Sequence, residues 1–128
     1  MREVIYIVVA GGLGAAARYY MTGLAQRLLG DGFPYGTLSV NIIGSFLIGF
    51  VMHISLSTEL ISPNLRMALT LGFLGAFTTF STFSYETLGY LEDGAWLAGG
   101  LNVLANVVPC IFAAFIGVAL GRAILGGA

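Results

Sequence analysis

Four long apolar stretches, divided by short runs of helix breakers, leave this chain little choice of fold. A helix needs about 20 apolar residues to cross a bilayer, and four such helices consume most of the 128 residues. Charged side chains make up only 9% of the chain, against roughly 25% in ordinary soluble domains. That balance leaves room for short loops and no extramembrane domain. Residues 1–128 read as a single all-α membrane domain of four spans.

The first span runs from Val4 to Leu24, extendable to Leu29. Its Gly11, Gly12 and Gly14 admit the backbone of a neighbouring helix. It continues through Arg18-Tyr19-Tyr20 without a polar start behind a cleavage site, so it reads as a retained span rather than a signal peptide. The run Gly30 to Gly36 is a loop, after which Thr37 or Ser39 is expected to cap a second span ending at Ser55. Pro63 suits the first turn of a third helix, spanning Leu65 to Tyr90. Trp96 opens the fourth, which passes Asn102, Asn106 and Cys110 at four-residue steps and ends near Leu125. Pro109 predicts a kink there.

The net charge is −1, with five scattered arginines and no lysine, which gives nucleic acid no electrostatic footing. The bilayer is the partner that composition demands. One cysteine, Cys110, permits neither an intrachain disulfide nor a thiolate metal cluster. Four spans place Arg2, Arg66 and Arg122 with the termini, against Arg27 and, by its depth, Arg18. A chain so weakly polarised can insert both ways.

The stretch Gly72 to Ser84 departs from an ordinary span. It holds two glycines, five hydroxyl side chains and four phenylalanines. Glycines followed by Thr78-Thr79 are poor helix formers, which predicts a break from Gly75 to Thr78 and a helix resumed at Thr79. Irregular backbone survives at membrane depth only where protein or a wet cavity satisfies it, and broken helices present amides and carbonyls that can coordinate ions. On the resumed helix Phe80 and Phe83 stand three residues apart, and Thr79, Phe83 and Glu86 share a face. Ser81 and Thr82 offer hydroxyl donors, as does the amide of Asn41 in span two. A phenyl edge is positive and its face negative. Few fixed charges and many donors suit passage better than capture. The alternative is a core of rings with hydroxyls bonded to their own backbone. Asn41 needs a partner in hydrocarbon, and Arg18 either snorkels or stands as a cation at the mouth of an anion path.

The motif Gly75-x-x-Thr78-Thr79-Phe80-Ser81-Thr82-Phe83-Ser84 resembles that of the Fluc (CrcB) fluoride channel family. Two further blocks agree: Gly11-Gly12-x-Gly14-Ala15-x-x-Arg18, and Gly36-Thr37-Leu38-x-Val40-Asn41-x-x-Gly44-Ser45-Phe46-x-x-Gly49. The likeness covers nearly the whole chain and is weakest in span four. It implies an antiparallel, dual-topology homodimer in a prokaryotic plasma (inner) membrane. Such dimers conduct fluoride passively and selectively along two pores, protecting the cell from fluoride. It further implies that Phe80 and Phe83 turn ring edges to fluoride and that Asn41 is the pore amide. Thr79, Ser81 and Thr82 would supply hydroxyls, Glu86 would lie at one pore end, and Arg18 would be a vestibule cation. The carbonyls of Gly75 and Thr78 from both subunits would hold a structural sodium ion at the dimer centre. The family's span-four hydroxyl track falls on Asn102, Asn106 and Cys110, of which Asn106 is retained as a pore residue.

A small dual-topology multidrug exporter is the rival of similar size. Its chemistry requires an embedded carboxylate, and Glu86 is the sole candidate within a span. An enzyme is not expected: no serine sits in a nucleophile elbow, and His53 has no evident partner.

Overall fold

The computed structural model describes residues 1–125; the last three residues of the 1–128 domain lie outside the described part. Its elements run α1 (Arg2–Leu29), α2 (Tyr35–Ser57), α3 (Pro63–Met67), a π-helical segment (Ala68–Leu74), α4 (Gly75–Phe77), α5 (Phe80–Glu92) and α6 (Trp96–Ile124). Together α3 to α5 form one interrupted span, Pro63–Glu92. The shortest of the four apolar helical stretches has 23 residues, which at the α-helical rise reaches roughly 34 Å, enough for a hydrocarbon core of about 30 Å.

The helix starts differ in kind. Ser62 accepts the Leu65 N–H at 3.2 Å with Pro63 in the first turn, so the third span begins with a side-chain cap and a residue whose missing N–H costs nothing there. The second span corrects the expectation of a Thr37 or Ser39 cap. It begins at Tyr35 after Pro34, with no side-chain cap. The Ser39 hydroxyl donates to the Gly36 carbonyl, and that of Thr37 reaches Glu86 instead. Gln26 of α1 supplies the missing acceptor, taking the Gly36 N–H at 2.8 Å.

Lipid is as apolar as leucine, so helices in a bilayer associate by close approach. The buried positions of α2 and α6 are accordingly dominated by small residues. A methyl group added at Gly49 would overlap the Ala114 carbonyl, and one at Gly117 would overlap that of Phe46. Gly14 brings α1 equally close to the backbone of Phe73. Val40, Leu74 and Phe77 form the apolar centre where α2 meets the interrupted span.

The interruption falls later than the glycines predict. Gly72 lies in the π-helical segment and Gly75 begins α4, while Thr78 (φ −90°, ψ 160°) and Thr79 (φ −151°, ψ 114°) are extended. Gly72 serves close packing instead: a Cβ there would come within 2.9 Å of the Ala10 methyl. Pro109 stands inside an α6 that continues as one helix from Trp96 to Ile124.

Candidate functional site

Two extended residues in the middle of a span create two helix ends in hydrocarbon, and each end needs partners. At the α5 end, Thr79 is the N-cap. Its hydroxyl accepts the Thr82 N–H at 3.2 Å and donates to Thr82 Oγ1 at 2.9 Å. Asn41 of α2 completes it: the Thr79 N–H donates to Asn41 Oδ1 at 2.8 Å, and Asn41 Nδ2 donates to the Thr79 carbonyl at 3.1 Å. One side-chain amide thus pairs with extended backbone as a neighbouring strand would. At the α4 end, Arg18 Nε donates to the Ala76 carbonyl at 2.9 Å. The Thr78 hydroxyl and N–H both go to the Leu74 carbonyl, at 2.9 and 3.0 Å.

Two cavities meet at the interruption, and among the described residues Thr79 is the one lining both. The first, of about 400 Å³, is lined by Asn41, Gly75, Thr78, Phe80, Phe83 and Asn106 among others. Its rings touch, with centroids 5.3 Å apart and planes inclined at 58°. Phe83 is buried at 7% exposure and Phe80 stands open at 77%. The second, of about 500 Å³, is lined by Arg18, Thr82 and Glu86 together with Tyr19, Thr22, Gln26 and Thr37. There Thr37 Oγ1 donates to Glu86 Oε2 at 3.1 Å, and Glu86 Oε1 is buried without a partner.

The residues singled out from sequence are therefore brought together, but not all on one surface. Phe83 and Glu86, expected on a shared face with Thr79, open on different cavities. Ser81 is exposed at the start of α5, 3.4 Å from the Thr79 hydroxyl. Arg18 is tied inward to Ala76 rather than snorkelling. The sequence offers Thr37 only as a cap, places Asn102 only on the span-four polar track, and does not single out Gln26. Their signal was polarity in an apolar setting, and for Asn102 a four-residue step from Asn106.

Sodium binding can be tested against the chain's own hydrogen bonds. In an unbroken helix the Gly75 and Thr78 carbonyls would accept the N–H groups of residues 79 and 82. Those two donors go instead to Asn41 Oδ1 and Thr79 Oγ1. Both carbonyls lose their helical donors, and carbonyl oxygen is a fitting ligand for a hard cation. The residues fit the ion. Among the described residues no cluster of His, Cys, Asp and Glu offers a metal site of another kind.

Fold and site together define a small four-span membrane protein whose third helix is interrupted and stitched to its neighbours by polar side chains. Residues 5–118 match the family described as CrcB-like protein, Camphor Resistance (CrcB). The chain is 52% identical over 122 residues to a protein of Geotalea daltonii, covering 95% of this chain and 98% of that one. It is 49% identical over 124 residues to one of Citrifermentans bemidjiense, covering 97% and 100%. A third, from Dehalococcoides mccartyi, is 49% identical over 121 residues, covering 94% and 93%. All three carry the name fluoride-specific ion channel FluC. The chain belongs to the CrcB family.

Proposed function

We propose that this protein is a fluoride-selective channel that lets fluoride leave a prokaryotic cell passively across its plasma (inner) membrane. One observation carries the reading: an interrupted span whose extended Thr79 is clamped by Asn41, beside Phe80, Phe83 and the hydroxyls of Ser81 and Thr82. The name shared by relatives at about half identity over nearly their whole length supports the choice of ion. Along the first cavity fluoride meets weak donors, ring edges and hydroxyls rather than a charged side chain, which is what permeation requires. Arg18 and Glu86 stand at the vestibule, where Arg18 raises the local anion concentration.

The working unit is an antiparallel homodimer of oppositely inserted copies. Phe80 and Gly75 are exposed on the face that bears the first cavity; a second copy covers that face and closes the path. The Gly75 and Thr78 carbonyls of both copies hold a structural sodium ion at the centre. When bound, it would supply a fixed positive charge beside those carbonyls. The exporter reading has no such support, since Glu86 shares its cavity with Arg18 and accepts a hydrogen bond from Thr37.

Reconstitution in liposomes loaded with equal fluoride and chloride tests this, with efflux followed by ion-selective electrodes. Fluoride is expected to leave while chloride stays. Equal efflux of both, or none of either, overturns the reading.

A further inference from the structure

Asn106 stands where a hydroxyl would be free to turn, yet its amide orientation follows from its neighbours. The Thr79 N–H is a backbone donor, so the Asn41 atom it meets is the oxygen, Oδ1. Asn41 Nδ2 is then the end that reaches both the Thr79 carbonyl and Asn106, the latter at 3.0 Å. Asn106 must turn Oδ1 toward Asn41. Its Nδ2 points to the Asn102 carbonyl at 2.9 Å and to Asn102 Oδ1 at 3.2 Å. Asn102 Nδ2 ends the chain on Thr87 Oγ1 at 3.0 Å. That hydroxyl sends its own proton to the Phe83 carbonyl at 2.8 Å.

A side-chain amide has two N–H protons. Asn41 gives one to Thr79 and one to Asn106, and Asn106 gives both to Asn102. Asn102 is wholly buried and Asn106 is 6% exposed, so their amides have few other partners within reach. Asn106 therefore offers the cavity an acceptor, which repels an anion. The proton an anion would want at this level belongs to Asn41, and Asn106 holds it.

We infer that Asn106, seated by Asn102, is a positioning residue that competes with the permeating anion for one amide proton of Asn41. The inference rests on the fluoride path proposed above. Without the ion, the pairing spares Asn41 an unpaired N–H in an apolar setting. With it, fluoride takes that proton only by displacing Asn106 Oδ1, and Asn106 takes it back as fluoride leaves. Binding is weakened and release hastened.

The test is Asn106→Leu, which keeps the volume and removes the acceptor. Fluoride affinity is read by titration calorimetry on the purified protein, and maximal flux in liposomes. Affinity is expected to rise about fivefold to tenfold, the worth of one neutral hydrogen bond, while maximal flux falls. In an Asn41→Ala background the same substitution leaves affinity unchanged, because the contested proton is gone. Asn106→Ser, whose hydroxyl can accept the proton, moves both values back toward the parent. Lost flux at unchanged or weaker affinity in Asn106→Leu, or an equal affinity change without Asn41, overturns the inference and leaves the channel reading standing. Absence of fluoride flux in the parent protein overturns that reading itself.

Discussion

The interruption has two ends, and the molecule finishes them by different means. The carbonyl end of α4 is met by a cation from another helix, Arg18, whose Nε reaches the Ala76 oxygen across 58 residues of sequence. The amide end of α5 is met by neutral groups, its own Thr79 hydroxyl and the Asn41 amide. Helix polarity accounts for the difference, since a carbonyl end carries partial negative charge and draws a guanidinium. An anion at the amide end would have been the electrostatic counterpart. The chain puts no carboxylate on the α5 cap and leaves that end with weak neutral donors. The α4 half is anchored through Gly14 and Arg18, whereas Phe80 and Tyr85 of the α5 half stand 77% and 78% exposed.

If the α5 end is the one that meets the ion, its rings carry the largest effect. Phe80→Ile or Phe83→Ile is expected to bring fluoride efflux down to that of protein-free liposomes, with assembly unchanged on size exclusion. Full flux in both variants would move the path away from α5 and undo the contrast between the ends. Arg18→Leu comes next. It strips the half-buried Ala76 carbonyl of its donor, a loss of about 1 kcal/mol or more, and is expected to lower both flux and unfolding temperature in detergent. Arg18→Lys, which keeps charge without the guanidinium, should recover part of the loss. No recovery would mean that hydrogen-bond geometry rather than charge finishes the α4 end. The smallest effect belongs to Thr79→Ala. Losing a hydroxyl cap costs about 1 kcal/mol, and Asn41 still holds the Thr79 N–H. A drop in stability as large as that of Arg18→Leu would make the two ends equivalent.

Much of this was legible in advance. The spans follow from runs of apolar residues and the breakers between them, a property each segment carries alone. Asn41 announced itself by being a side-chain amide in hydrocarbon, and Arg18 by being a cation there. Glycine's weak helix propensity places the break earlier in the chain than the structure does. Gly72 stays helical since the packing of Ala10 and Ile7 against it outweighs that preference. Thr37 looked like a cap because it follows a loop, but its hydroxyl serves Glu86, 49 residues on. Local spacing carries no record of a partner that distant.

By itself, then, the sequence determined that this chain lives in a bilayer, crosses it four times and disrupts its third helix, with the break expected from Gly75 to Thr78. These are consequences of hydropathy and backbone propensity, which act residue by residue. Only the tertiary structure decided that the disruption falls on Thr78 and Thr79, that Asn41 pairs with its backbone, and that Asn106 faces that amide with both of its own protons given to Asn102. In a medium without water, a polar group is costly unless it finds a partner inside the protein. Which partner it finds depends on helices brought side by side.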